Sequence, residues 1–348
     1  MAIHLIDPLG DPRWDGFLQS HSRASVFHTK AWLRALRTTY RYDPVAFTDA
    51  APDAALANVI VFCRVKSFLT GTRLVSLPFA DHCDPLVDSR DDLKNLLPQV
   101  EQALPSQFCQ YLELRSTSAT AVDLVQRATL SSKATFAHHI LDLAPDLDAL
   151  FRSLHKSCIQ RKVHRAEREG LTYAEGTSSR FVRQFYRLQV LTRRRHGLPP
   201  QPLTWFLNLR DSFGEAFKVR LVSKDGQPIA GIVTLRYKQA MVYKYGASDS
   251  QFHNLGAMPL LFWRTIREAK ECGLCEVDLG RSDLDEQGLI AFKNHLGARS
   301  SALSYYRYPA DVSVASSPQR PSLARRFCTY MPPSLLRVVG TAIYRHIG

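Results

Sequence analysis

The chain has 348 residues and a formal net charge of +13, with 45 lysines and arginines against 32 acidic residues. At about 150 residues per domain, this length predicts two domains. The charge favours anionic partners such as nucleotide phosphates, tRNA or an acidic membrane face. The N-terminus has no signal-peptide pattern, and no apolar run approaches the roughly 18 residues of a transmembrane helix. We therefore expect a cytoplasmic protein.

The cysteines argue against a disulfide scaffold. There are seven of them, and an odd number without a signal segment favours free thiols. Cys272 and Cys275 have CxxC spacing, but no second pair follows, so we expect no metal site.

The first 145 residues form an α/β pattern of modest regularity. A short strand at 4–6 is followed by a mixture of predicted elements, which comprises helices near 11–19, 29–40, 89–103 and 120–128 and strands near 42–48, 55–65, 73–77, 108–114 and 134–141.

Residues 171–310 have a clearer pattern. Asp225-Gly226 predicts a hairpin between two apolar strands, and Gly273 is placed to end a long helix from about 255 to 272. The predicted order is β-α-α-β-β-β-α-β-α-β. It is the order of the GNAT acyltransferase fold, a mixed sheet whose middle strands splay apart. Together the two halves predict an α/β protein with two tandem GNAT-like domains and mixed, mostly antiparallel sheets.

Two basic segments flank the second domain. Residues 146–170 predict a basic helix bridging the domains, with apolar residues at helical spacing and arginines on another face. Residues 311–348 read as a Ser- and Pro-rich linker followed by a basic amphipathic tail. The tail is suited either to an anionic membrane surface or to packing back on a domain.

The bridging helix and a later basic run suggest an anion site. Arg161 and Arg165 lie on the bridging helix, and Arg194 lies in an arginine cluster at the end of a predicted helix. Arginines at a domain junction can clamp a diphosphate, although solvated helix faces are the commoner outcome for such charge runs.

The loop before the long helix is a candidate donor site. GNAT proteins that use CoA carry a [RQ]-x-x-G-x-[GA] loop here, whose glycines let backbone N–H groups approach a pyrophosphate. Gln251 and Gly256 fit this pattern, Asn254 replaces the first glycine, and Ala257 follows at the start of the helix. Asn tolerates positive φ, so the loop remains a candidate for binding the donor.

The next strand and helix supply candidate catalytic groups. Asp278 ends a strand, where it can serve as a base, and Arg281 and Lys293 can stabilise an oxyanion or bind phosphate, with Ser282 beside them. The alternative is a structural Asp–Arg pair with a surface lysine. Tyr243 and Tyr245 share one face of a predicted strand, where a hydroxyl can protonate a leaving group or simply be half-buried.

The order of these motifs resembles that of Fem-type GNAT acyltransferases, in particular the FemAB-like proteins found with bacterial exopolysaccharide and exosortase systems. The matching segments include Leu77-Pro78-Phe79, Thr192–Pro200, Tyr245–Asp249, Asp278–Ser282 and Phe292-Lys293. The resemblance implies transfer of an acyl or aminoacyl group to an amine, without metal or permanently bound cofactor. It also implies a catalytic role for Lys293, a substrate-binding role for Asp249 and an arginine on the bridging helix that holds a diphosphate.

Two departures from the Fem ligases bear on a peptidoglycan-bridge role, one at the acceptor site and one at the donor. The first domain offers no clear match for their second diphosphate-binding residue, and the second domain has no coiled-coil insertion for tRNA. We therefore expect an N-acyltransferase acting on a cell-envelope or exopolysaccharide precursor, a small or lipid-linked anionic acceptor. Acyl-CoA or aminoacyl-tRNA would be the co-substrate. The alternatives are a tRNA-dependent Fem-type peptidyltransferase and a non-catalytic scaffold at the inner membrane face, reached through the tail.

Overall fold

The computed structural model describes residues 3–117, 129–310 and 322–348. The helix predicted at 120–128 and the linker around 313–321 lie outside these residues. The chain divides into two compact units: unit 1 comprises Met1–Phe136, Ser301–Pro318 and Ala342–Gly348, and unit 2 comprises Ala137–Ser300 and Gln319–Thr341.

Unit 1 is a mixed sheet covered by a helix. Its strand order is β1-β2-β3-β4-β5-β12, with β4 and β5 parallel and the other pairs of known direction antiparallel. Leu93, Leu96 and Val100 of α3 pack on Phe47 and Phe62 in its core. The elements are β1 (His4–Ile6), α1 (Trp14–Ser20), α2 (Lys30–Tyr40), β2 (Asp43–Thr48), β3 (Val59–Ser67), β4 (Gly71–Val75), α3 (Arg90–Ala103), β5 (Tyr111–Thr117) and, late in the chain, β12 (Arg299–Tyr308).

Unit 2 repeats this strand plan. Its order is β6-β11-β10-β9-β8-β7, with β10 and β11 parallel. The elements are β6 (Ser131–Asp142), α4 (Leu147–Ser153), α5 (Arg161–Arg168), β7 (Thr172–Gly176), α6 (Ser179–Arg195), α7 (Leu203–Phe213), β8 (Phe217–Lys224), β9 (Gln227–Tyr237), β10 (Ala240–Ser248), α8 (Ala257–Glu271), β11 (Glu276–Asp283), α9 (Gln287–His295), α10 (Ser322–Tyr330) and α11 (Pro333–Tyr344).

Local turn chemistry places several of these elements where the sequence predicts them. Asp225 and Gly226 have φ of 51° and 77° between β8 and β9, and Gly273 has φ of 72° after α8. Aliphatic side chains of α8, among them Leu261 and Ile266, pack against Ile232 and Val277 of the sheet. The predicted α/β fold with GNAT-like element order is confirmed.

The bridging segment is not one continuous helix. Leu154 is extended (ψ 141°) after α4, and a π-helical turn, Lys156–Gln160, precedes α5. The amide of Gln160 donates to the carbonyl of Leu154 and holds this break.

The C-terminal segment packs back on the protein. Leu336 and Tyr344 are buried, and a Cβ on Gly340 would come within 2.0 Å of the carbonyl oxygen of Pro200. None of the helices in the described residues is long and apolar enough to cross a membrane.

Candidate functional site

The parallel strands β10 and β11 separate soon after they meet. Their ladder joins Ala240–Val242 to Glu276–Asp278. Beyond it, a bulge at Lys244 shifts the register of β10, which stays paired with β9 as far as Ser248. Across the described residues, the β10–β11 ladder is not resumed, so the two strands splay as the sequence predicts.

Helix α8 begins at this splay without a side-chain cap. Its N-cap is Gly256, with φ of 82°, and its first turn contains no acidic residue. A Cβ at Gly256 would lie 2.2 Å from the carbonyl oxygen of Lys162, so glycine is required both by the backbone and by the approach of α5. The N–H groups and the positive end of the helix dipole at such a terminus favour an anion.

A cavity of about 370 Å³ lies against this terminus. It extends from the end of β10 and the start of α8 to α9. Its wall combines apolar and polar side chains: Cys158, Lys162, Ile229, Ala230, Ser248, Asp249, Phe252, His253, Ala257, Met258, Pro259, Gly288, Ala291, Phe292 and His295.

The residues predicted to bind the donor have different positions around this cavity. Ala257 lines it, and Gly256 forms the turn that leads into α8. Gln251 and Asn254 are exposed on a 3-10 turn, Ser250–Leu255, and neither is among the lining residues, although Phe252 and His253 of the same turn are. Asp249 caps that turn by accepting a hydrogen bond from the Gln251 N–H at 3.0 Å, and it also lines the cavity.

Lys293 of α9 is buried against β11. Only 2% of it is exposed, and its Nζ donates to the carbonyl oxygens of Gly280 at 3.0 Å and Arg281 at 2.9 Å. It therefore fixes the backbone immediately after the splay, where Gly280 has φ of 67°. Arg281 is half-buried, and Ser282 is buried with no hydrogen-bond partner for its Oγ among the described residues.

Asp278 forms a buried pair with His138 of β6. The His138 Nε2 lies 3.0 Å from the Asp278 Oδ1, which also accepts the Gly280 N–H at 2.7 Å. This distance fits a hydrogen bond from the His138 Nε2–H to the Asp278 carboxylate. The sequence reasoning missed His138, because residues 138 and 278 are neighbours only through strand pairing.

The two tyrosines do not share a strand face, and that prediction was wrong. The Tyr243 ring packs on Phe262 of α8, with centroids 4.8 Å apart. Tyr245 instead packs on Phe206 of α7, and its hydroxyl accepts a hydrogen bond from the Trp205 indole at 2.8 Å. The bulge at Lys244 breaks the regular alternation that the prediction assumed.

The predicted diphosphate-binding arginines have separate surroundings. Arg161 is exposed on the first turn of α5. Arg165 pairs with Glu169 at 3.5 Å, and Arg194 donates to the carbonyl of Thr329 at 3.0 Å. Lys162, which was not singled out from the sequence, is the cation of α5 that lines the cavity.

Three side chains that could ligate a metal ion lie at or beside the cavity wall. One ligand atom from each of His155, Cys158 and His295 lies within 4.8 Å of the others. The Nδ1 of His155, however, accepts the Cys158 N–H at 3.1 Å. That bond places the ring proton on Nε2, so His155 fits a metal poorly in this arrangement.

Burial keeps a histidine beside this site neutral. Burial, with a contribution from the nearby Lys293 ammonium, lowers the pKa of His139 to about 4. The pKa of His253, whose Nε2 lies 2.8 Å from the Ser248 Oγ, is also lowered, by burial and by Arg195.

Comparisons with known proteins agree with this geometry. Residues 153–293 match the acetyltransferase (GNAT) domain family. The structure is similar to that of FemX, with a TM-score of 0.68 at 15% identity, covering 87% of this chain and 97% of FemX. It is also similar to L-PGS from Bacillus licheniformis, with a TM-score of 0.55, 14% identity and 98% coverage of both chains.

A third similar structure is a tandem GNAT protein from the clavulanic acid biosynthesis pathway, with a TM-score of 0.55 at 11% identity, covering 90% of this chain and 100% of that one. No curated protein sequence matches the chain. The segment 153–293 is thus a GNAT domain, and the chain has a FemAB-like tandem GNAT fold, which confirms the resemblance seen in the sequence.

Proposed function

Starting from a GNAT domain within a FemAB-like fold, we propose that the protein transfers an acyl or aminoacyl group to an amine of a cell-envelope or exopolysaccharide precursor. The observation that carries this proposal is the open splay of β10 and β11, with the uncapped start of α8 and a cavity beside it. Such a site can hold a donor's phosphates and its acyl arm together.

We propose acyl-CoA as the donor. Its diphosphate would meet the N–H groups of Ala257 and Met258 and the Lys162 ammonium, while its pantetheine arm would enter the cavity. The wall of this cavity is apolar enough for the arm, with Phe252, Phe292 and Ile229 among its residues.

The chemistry would be direct transfer. The acceptor amine attacks the thioester carbonyl, the C–S bond breaks, and the thiolate leaves. The amine proton passes to the Asp278 carboxylate, directly or through a water molecule, and His138 orients that carboxylate from 3.0 Å. Lys293 acts by positioning the Gly280–Arg281 backbone, and Arg281 supplies positive charge beside the developing oxyanion. Most of the rate gain would come from this fixed geometry.

The acceptor would bind outside the donor cavity. Arg161, Arg165 and Arg194 remain candidates for its diphosphate, and Tyr243, Tyr245 and Ser282 for its polar groups. Replacing each arginine singly by Gln should raise the KM for the acceptor without changing the KM for the donor.

Cysteine protection tests donor binding directly. Cys158 lines the cavity, whereas Cys272 and Cys275 are exposed elsewhere in unit 2. Saturating acetyl-CoA should slow alkylation of Cys158 by iodoacetamide, followed by peptide mass spectrometry, and leave Cys272 and Cys275 unchanged as internal controls. Equal alkylation of Cys158 with and without acetyl-CoA would reject the donor assignment.

An aminoacyl-tRNA donor is the second candidate, because the exposed side chains of Arg161, Lys162 and Arg165 form a basic surface on α5. Charged tRNA, and not acetyl-CoA, would then protect Cys158 and raise the melting temperature. A non-catalytic scaffold would bind a precursor without transferring any acyl group to it. A transfer assay with radiolabelled donor distinguishes such a scaffold from an enzyme.

A further inference from the structure

The turn between β3 and β4 of unit 1 exposes two large apolar side chains in succession. Phe68 is 86% exposed and Leu69 is 63% exposed. They occupy the tip of a hairpin whose strands are β3 and β4, so they project outward instead of lining a groove.

A third apolar side chain lies at the same end of the sheet. Phe108 is 89% exposed and stands just before β5, which runs parallel to β4. The Gln110 N–H donates to the Thr72 carbonyl at 2.8 Å, and a Cβ on Gly71 would clash with the Gln110 side chain. The loops that carry Phe68, Leu69 and Phe108 are therefore neighbours.

The last residues of the chain support this hairpin from behind. The Phe68 ring packs edge-on against His346, with centroids 4.6 Å apart. Buried His346 meets the Ser67 hydroxyl through Nδ1, and its carbonyl accepts from Arg73 at 2.9 Å. The exposed Ile347 follows. The tip is thus held in place, which lowers the entropy lost on inserting it.

The charge around this end is positive. The three segments that build it, residues 54–80, 102–110 and 342–348, contain no acidic residue. Lys66 and Arg345 are exposed there, and Asp43, the carboxylate at the start of the neighbouring β2, is paired with Arg64 at 3.1 Å. These cations would attract an anionic surface.

We propose that this end of unit 1 docks on an anionic phospholipid bilayer, with Phe68, Leu69 and Phe108 entering the headgroup–acyl boundary. Protruding apolar side chains flanked by cations suit a lipid interface. A convex tip offers no groove for a partner helix. Docking of this kind does not depend on the acyl-transfer function.

The test is co-sedimentation of the full chain with vesicles of phosphatidylcholine alone or with one-quarter phosphatidylglycerol. The wild type should bind the anionic vesicles and release them at high salt. Phe68→Ser with Leu69→Ser should weaken binding at least tenfold, and adding Phe108→Ser should weaken it further. These exposed positions should leave the melting temperature unchanged.

Two matched variants keep the proposal falsifiable. Leu191→Ser with Leu284→Ser removes two exposed leucines of unit 2 and should leave binding intact. Leu335→Ser with Val338→Ser tests the exposed apolar face of α11. Loss of binding in that variant with retention in the hairpin variant would overturn the proposal. So would a wild type that binds no vesicle, or a hairpin variant that binds like the wild type.

Discussion

In unit 1, β4 and β5 run parallel over three paired positions, Arg73–Val75 with Tyr111–Glu113, as β10 and β11 do in unit 2. Beyond this ladder the backbone of the two units differs. In unit 1 the returning chain covers the edge of β5: the Ser76 hydroxyl accepts the Arg115 N–H at 2.8 Å, and the Cys83 N–H donates to the Arg115 carbonyl at 2.7 Å. The Arg115 guanidinium also holds the carbonyls of Leu77 and Ala80.

The helices that follow β4 and β10, α3 and α8, also differ at their N-termini. Helix α3 of unit 1 starts with a complete capping box between Ser89 and Asp92, and Asp91 adds a second acid to its first turn. The capping box engages the Asp92 N–H of this helix, and the acidic residues of its first turn repel an anion. Helix α8 has neither cap nor acid. The same strand plan thus gives a filled strand pair in unit 1 and an open one beside a cavity in unit 2, so the donor is expected in unit 2 alone.

The largest expected effect is at Gly256. Gly256→Ala would push a Cβ against the Lys162 carbonyl, which is 2.2 Å from the ideal position, and displace the start of α8. A displacement of about 1 Å in an active site lowers the reaction rate about 100-fold. We therefore expect kcat/KM for acyl transfer to fall by about that factor. Gly226→Ala is the control, because φ is similar at 77° but no atom lies within 4 Å. Equal losses in both variants would mean that backbone strain, and not the donor site, is responsible.

Lys293 gives the next largest effect. Lys293→Met removes one donor from each of the Gly280 and Arg281 carbonyls, and a buried acceptor left unpaired costs about 1–3 kcal/mol. The change also releases the Gly280–Arg281 backbone, so both stability and specific activity should fall. Lys270→Met is the matched control, since the Lys270 Nζ also holds two carbonyls, those of Leu143 and Ala144. The control should lose stability and keep its specific activity, as judged by calorimetry and by assays well below the melting temperature.

These features were predictable from sequence to different degrees. Asp225-Gly226 and Gly273 act through local backbone conformation, so the hairpin and the helix end could be predicted. The element order also predicted the splay. The pairing of His138 with Asp278 could not be foreseen, because it depends on β6 lying beside β11. Nor could the position of Lys162 in the cavity wall, because it depends on the tertiary contact between α5 and Gly256.

An acidic residue in the first turn of α8 should make this helix repel anions, as α3 of unit 1 does. Met258 lines the cavity in the first turn of this helix. Met258→Glu introduces the acid that α3 already carries and should raise the KM for acyl-CoA about tenfold by repelling its phosphates. Met258→Gln has the same shape without the charge and should stay near wild type. Equal KM values for the two variants would count against phosphate binding at this terminus.

The smallest expected effect is a pH dependence of stability, which both units should show. Burial lowers the pKa of His28 in unit 1 and of His139 in unit 2 to about 4, from an ordinary value of 6.5. Below pH 6.5 these histidines are protonated in the unfolded chain but stay neutral in the folded chain. The free energy of unfolding therefore falls as the pH drops from 6.5 towards 4. Hydrogen exchange can follow each unit separately. In His28→Gln the pH dependence should flatten for strands β2 and β3 and remain for β9 and β11. An unchanged slope in β2 and β3 would show that His28 is not the group responsible.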